Sequence, residues 1–139
     1  MFSAPIRLDL KIICECRTPT REILDILPEF PIAIWVYHLH HEMEDNALTA
    51  LEHVDRVSVI CVGGDSNSAL ERIVDAMQHP FPILPRLVIK STDQTAMVLP
   101  DSLLGGCSPR LRSLSLHNVT FSALSKLLLS ATVLVDLFL

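Results

Sequence analysis

Histidine and carboxylate side chains, which are common ligands of zinc and nickel, are concentrated in one short run of this sequence. The run reads His38-Leu-His40-His41-Glu42, with Glu44 and Asp45 close behind. Adjacent ligands in one loop rarely close a tetrahedral site, and no second ligand pair stands at a fixed spacing. The favoured interpretation is therefore a solvated polar loop. His38, His40 and His41 are kept only as metal candidates.

Other patterns that could do chemistry are incomplete. Cys14-Glu-Cys16 would place two thiols on one side of a strand, which suits a soft metal, but no partner pair accompanies them. Gly63-Gly64 lacks the surroundings of a phosphate-binding loop, and neither a G-x-S-x-G nor an H-E-x-x-H motif occurs. We therefore predict no catalytic residue, no cofactor and no enzymatic activity.

The strongest pattern is one that positions side chains. Leu111, Leu114 and Leu116 form the L-x-x-L-x-L signature of a leucine-rich repeat, in which the leucines enter a core and the residues between them face outward. The pattern recurs at 134–139, and earlier copies fit when Val, Ile or Pro may replace Leu. The position-four residues of the six copies are Leu8, Ile34, Val57, Leu87, Leu114 and Leu137. Their spacing of roughly 23 to 30 residues is typical of such repeats.

Helical patterns lie between the copies. Residues 68–78 give the clearest one, in which Ser68 and Glu71 form a capping box and one face carries apolar side chains. Those side chains are Leu70, Ile73, Val74 and Met77. Shorter helices are predicted at 18–27, 46–52 and 121–131, with a helical turn at 101–104.

The outward-facing positions of the strands are the candidate binding surface. On the template, position three contains Arg7, Ala33, Arg56, Arg86, Ser113 and Asp136. Position five contains Asp9, Trp35, Ser58, Val88, Ser115 and Phe138, and position seven adds Lys11, Tyr37, Ile60, Lys90 and His117. Trp, Tyr and Arg are frequent binding hot spots. The predicted partner-binding residues are Trp35, Tyr37, Arg56, Arg86, Lys90, Arg112 and His117. The alternative is that Trp35 and Tyr37 pack under a loop while the arginines pair locally.

Composition limits the class of partner. Half of the 139 residues are apolar, 19% are charged and the formal net charge is −5, which argues against nucleic-acid binding. No apolar run is long enough to span a bilayer, so no membrane partner is predicted. The first residues do not form a secretory signal, and the four cysteines show no disulfide framework. We therefore expect a cytoplasmic or nuclear protein.

The amino-acid sequences of several segments resemble the leucine-rich repeats of F-box proteins expanded in mushroom-forming fungi. The most specific segment is Leu104-Gly-Gly-x-x-Pro-x-Leu111, and the similar stretches are 28–32, 44–57, 80–87, 99–106, 108–116 and 124–137. The resemblance implies that such repeats hold a protein for ubiquitination by a cullin–RING ligase. An F-box would bind the Skp-type adaptor, but no F-box is evident here, so adaptor binding requires one outside this chain.

Together the patterns predict an α/β fold, an irregular leucine-rich-repeat solenoid that forms a right-handed βα superhelix. Residues 1–139 would form a single segment of about six repeats, with short helices on the convex side of a parallel strand ladder, and we expect a fragment of a longer protein. A conventional α/β sandwich is the structural alternative. The expected function is non-catalytic binding of a protein substrate. The alternatives are a structural fragment without independent activity, or a small metal-binding or enzymatic domain.

Overall fold

A parallel β-sheet runs through the computed structural model of this chain, which describes residues 10–13 (backbone only), 32–36, 47–64 and 66–139. The described strands are β1 (Leu10–Ile13), β2 (Ile32–Val36), β3 (Val57–Gly64), β4 (Arg86–Ser91), β5 (Met97–Val98), β6 (Ser113–His117), β7 (Val119–Thr120) and β8 (Asp136–Phe138). Six of them form the main sheet in the order β1-β2-β3-β4-β6-β8, and every neighbouring pair is parallel. The predicted α/β fold with a parallel strand ladder is therefore confirmed.

The sheet register aligns equivalent residues into rows, which we number by the positions of the leucine pattern. Row four contains Ile12, Ile34, Ile60, Leu87, Leu114 and Leu137, and its members lie 22 to 27 residues apart in the chain. The sequence pattern assigned four of these residues correctly. It was wrong for the first copy, where Ile12 rather than Leu8 pairs with Ile34, and for the third copy, where Ile60 rather than Val57 does so.

The two register errors have different consequences. A shift by four residues, as in the first copy, keeps the predicted alternation of positions along the strand, because that alternation has a period of two. A shift by three residues in the third copy exchanges the faces. Val57, Val59, Ile60 and Val62 are all apolar, so two registers satisfy the leucine pattern equally well in sequence. In the folded chain Val57 takes position one, Ile60 position four and Val62 position six.

Rows one, four and six form one apolar core with the helices. Val57, Leu84 and Leu111 of row one are buried, as are Ile34, Ile60, Leu87 and Leu114 of row four. Helices α1 (Asn67–Asp75) and α2 (Leu124–Ser130) and the helical residues 47–51 contribute to the same core. Truncating one of these leucines to alanine would cost about 2–5 kcal/mol of folding free energy.

Helix α1 confirms the predicted apolar face, because Leu70, Ile73 and Val74 are buried, and Met77 just beyond the helix is buried too. The predicted capping box is wrong. The helix begins at Asn67, and Ser66 occupies the N-cap position. Neither Ser66 nor Ser68 makes a side-chain capping bond, since their hydroxyls bond to each other. The Asn67 backbone N–H instead donates to Asp93 Oδ2 at 3.0 Å.

A second, two-stranded sheet pairs β5 with β7 in parallel. It links the segments that follow β4 and β6, as do hydrogen bonds from Ser122 Oγ to Asp101 Oδ1 (2.6 Å) and from the Ser108 N–H to Ser130 Oγ (3.0 Å). Eleven side-chain hydrogen bonds among the described residues join positions 21 to 28 residues apart. Each unit of the chain is therefore bonded to the next.

A left-handed turn lies within the short segment Leu103–Gly106, near the predicted turn at 101–104. Leu104, Gly105 and Gly106 have φ values of 56°, 67° and 75°. Leu104 is fully buried, and its N–H donates to the Met77 carbonyl at 2.7 Å. Gly105 and Gly106 adopt this conformation at little cost because they lack a Cβ.

Candidate functional site

The sheet face opposite the helices carries the candidate site, which we call the open face and define by rows three, five and seven. Row three contains Lys11, Ala33, Val59, Arg86, Ser113 and Asp136. Row five contains Ile13, Trp35, Cys61, Val88, Ser115 and Phe138, and row seven contains Gly63, Lys90 and His117 among the described residues. These rows alternate with rows four and six, so in β2, β3, β4, β6 and β8 their side chains leave the sheet on the other side.

Arg86 and Trp35 contact each other on the open face. The guanidinium carbon of Arg86 lies 5.7 Å from the centroid of the Trp35 ring. The two residues belong to β4 and β2, so the arginine reaches across β3. A cation–π contact at an exposed site contributes about 0.5–1 kcal/mol. The predicted proximity of Trp35 and Arg86 is confirmed, and their role in binding a partner stays a prediction.

Cys61 lies under this pair, between Trp35 and Val88 in row five. It is only 3% exposed. Burial raises the pKa of the Cys61 thiol, because a thiolate would lose its hydration, and the nearby positive charge of Arg86 offsets part of that rise. The sequence interpretation missed Cys61 and Val59 as members of the open face. The sequence could have revealed them, since Val57, Ile60 and Val62 also fit the leucine pattern and leave Val59 and Cys61 at positions three and five.

Arg56 does not lie in row three, where it was predicted, and this correction follows from the register of β3. Val59 takes that place beside Arg86, and Ile60, predicted in row seven, is a buried core residue. Arg56 belongs to the turn before β3, and its carbonyl accepts a hydrogen bond from the Ile32 N–H at 2.8 Å. Ser58 also leaves the open face, because Cys61 occupies its predicted position.

The remaining predicted contacts are distributed between the sheet and its loops. Lys90 and His117 are register partners on β4 and β6, and both are exposed. Arg112 is exposed as well, but it precedes β6, where its N–H donates to the Pro85 carbonyl at 2.7 Å. Tyr37 lies outside the described residues. The open face therefore brings together Trp35, Arg86, Lys90 and His117 of the seven predicted residues.

Polar side chains also gather where β3 and β4 end. Asp93 accepts hydrogen bonds from the backbone N–H groups of Asn67 and Gln94, and Ser91 Oγ donates to Asn67 Oδ1 at 2.6 Å. The bond from Asn67 is the main reason that the pKa of the Asp93 carboxyl is lowered, with smaller contributions from Gln94 and Thr95. These groups satisfy one another, so the cluster fixes the start of α1.

The metal candidates His38, His40 and His41 lie outside the described residues, as do Cys14 and Cys16. Within residues 32–36, 47–64 and 66–139, no three His, Cys, Asp or Glu side chains are grouped closely enough to hold a metal ion. In the same part of the chain, no helix has the length and the apolar character that crossing a membrane requires.

Comparison with known proteins gives no relative for this chain. No protein-family model matches it, and neither a curated protein nor a solved structure is similar to it.

Proposed function

We propose that this chain is a leucine-rich-repeat solenoid that binds a protein partner on its open face and performs no catalysis. Two features support the solenoid. The strands of the main sheet follow chain order, with 22 to 27 residues between row-four members, and the longer-range side-chain hydrogen bonds span about the same separation. In a solenoid each repeat contacts only its neighbours, so contacts separated by one repeat length are expected.

The observation that carries the binding function is the exposed Arg86 over Trp35. Large aromatic and guanidinium groups held in a fixed geometry lose little conformational freedom on binding, which is why they are common interface hot spots. Val88 and Ser115 continue row five beside them as a half-buried floor. A partner could bury the tryptophan ring and the aliphatic part of the arginine together.

The resemblance to fungal F-box proteins supports a narrower proposal, in which the bound partner is a substrate for ubiquitination. In that case the open face selects the substrate, and a Skp-type adaptor binds an F-box supplied outside these 139 residues. The two parts of the proposal are separable, because partner binding depends on the open face and adaptor binding does not.

Cross-linking of the tagged chain in cells, followed by quantitative mass spectrometry, tests the binding function. Trp35→Ala and Arg86→Ala should each reduce recovery of a defined set of proteins about tenfold, which corresponds to the loss of one hot spot. Lys126→Ala, an exposed lysine on α2 away from the open face, is the matched control and should leave recovery unchanged.

Equal recovery with the wild type and both open-face variants would refute the binding function. Thermal unfolding of each variant shows whether a loss reflects unfolding. Stabilisation of the recovered proteins when the ligase is inhibited supports the narrower proposal, and unchanged levels count against it.

A further inference from the structure

Charge is unevenly distributed between the two sides of this acidic protein. The formal net charge is −5, yet the exposed charged side chains in the centre of the open face are the basic Arg86 and Lys90. Arg110 and Arg112 are exposed in the loop that leads into β6. The helical side carries both signs of charge, because Glu71, Arg72 and Asp75 are exposed on α1 and Lys126 is exposed on α2. The open face therefore has a local positive charge, although the chain as a whole is acidic.

The basic side chains are arranged along and across one strand. Arg86 and Lys90 lie on the same face of β4 and four residues apart, a distance of about 13 Å along an extended strand. His117 is the register partner of Lys90 on β6. The carboxylate on this face among the described residues is Asp136, which lies two strands from Arg86 in row three. Within the described residues, no carboxylate forms an ion pair with Arg86 or Lys90.

The floor between the two cations can accept an apolar chain. Val88 lies midway between Arg86 and Lys90 on β4, with Cys61 and Ser115 on either side of it in row five. These side chains are buried or half-buried, so they project less than the cations. The Trp35 ring borders the same floor on the far side of Cys61.

We propose that the partner segment held on the open face is an extended peptide rich in Asp and Glu. This inference rests on the proposed binding function and adds the chemistry of the partner. Carboxylates that alternate with small apolar residues would all lie on one face of an extended peptide, and those four residues apart would meet Arg86 and Lys90 together. The methylene groups of the acidic residue between them would cover Val88, and the apolar residues would face away from the sheet.

The chain's only tryptophan reports on this site, because Trp35 contacts Arg86. The probe is a ten-residue peptide in which glutamate alternates with alanine, titrated while the tryptophan fluorescence is recorded. A peptide with glutamine in place of glutamate has the same length and shape without charge. We expect the glutamate peptide to bind measurably tighter, and its affinity to fall as salt is raised.

Lys90→Glu is the decisive variant because Lys90 is two rows away from Trp35 and leaves the reporter in place. It should weaken binding of the glutamate peptide about tenfold or more, since it replaces an attraction by a repulsion. Lys126→Glu changes the net charge equally on the α2 side and should change the affinity less than about twofold.

Equal weakening by Lys90→Glu and Lys126→Glu would overturn the inference, because net charge would then explain the binding. So would equal binding of the glutamine peptide, or binding of a phosphoserine peptide but not of the glutamate peptide. In each case the cross-linking result for Trp35→Ala and Arg86→Ala decides separately whether the open face still binds a protein. If neither variant reduced recovery in the cross-linking experiment, the proposed binding function itself would be wrong.

Discussion

Cys61 illustrates how the open face differs from an ordinary sheet surface. Cys61 is buried, whereas its row neighbours Trp35, Val88 and Ser115 are half-buried, and its raised pKa keeps the thiol protonated at neutral pH. The arginine that crosses β3 to reach Trp35 lies close enough to act on the thiol electrostatically. Arg86 therefore contacts Trp35 and acts on the buried Cys61 while it remains exposed at the surface.

Asp93 gives a pH-dependent contribution to stability whose sign follows from its lowered pKa. A carboxyl with a folded-state pKa below its unfolded value stabilises the folded state above the unfolded pKa, and the contribution is lost as pH falls through the folded pKa. We expect the urea midpoint of the wild type to fall between about pH 5 and pH 2, and Asp93→Asn to remove part of that fall.

Asp136→Asn is the control for the Asp93 prediction, because it removes an exposed carboxylate far from α1. Asn at position 93 can still accept the Asn67 N–H bond, so the fold is preserved while the charge is lost. Equal pH slopes for Asp93→Asn and the wild type would contradict the assigned role of the Asp93–Asn67 bond.

At the element scale, the turn at Leu104–Gly106 connects two consecutive units. Gly105 and Gly106 both have positive φ, but their surroundings differ. A Cβ on Gly105 would lie 2.9 Å from Pro80 Cγ and 3.1 Å from the Pro80 nitrogen, whereas a Cβ on Gly106 would have nothing nearer than Lys126 Nζ at 3.7 Å. An added side chain would cause backbone strain at both glycines, but a steric clash only at Gly105.

Alanine substitutions at these glycines should therefore differ in cost. Gly106→Ala should lower the free energy of unfolding by about 1–2 kcal/mol, the cost of placing a side chain in the left-handed region. Gly105→Ala should cost at least about 1 kcal/mol more, because the rigid Pro80 ring must move as well. Urea denaturation of both variants measures the difference. Equal costs would show that Pro80 yields without penalty.

The element boundaries also show what a single sequence can reveal. Leu111, Leu114 and Leu116 identify β6 directly, because polar residues separate the leucines and only one register buries them all. β3 could not be placed, since consecutive apolar residues at 59 to 62 satisfy two registers and only pairing with β2 and β4 selects one. The capping of α1 by Asp93 was equally inaccessible, because the donor and acceptor are 26 residues apart and no local pattern joins them.

At the scale of the whole molecule, one end of the described sheet lacks the cover that the interior strands have. Leu137 is 39% exposed, whereas its row-four neighbours Leu87 and Leu114 are fully buried. Phe138 and Leu139 next to it are also exposed, at 61% and 73%. β8 is the last strand of the sheet, so its outer backbone groups have no strand partner among the described residues. An apolar strand edge of this kind favours pairing with another chain.

We therefore expect the 139-residue chain to associate with itself through β8. Sedimentation velocity over a hundredfold concentration range should show an increasing mean mass for the wild type. The double variant Leu137→Glu and Leu139→Glu should remain monomeric, because charges on this edge prevent close approach of apolar surfaces. Val98→Glu is the matched control, since Val98 is 69% exposed on β5 rather than at the β8 edge, and it should associate like the wild type. A wild-type chain that stays monomeric, or a Val98→Glu variant that loses association equally, would show that the β8 edge is not the contact.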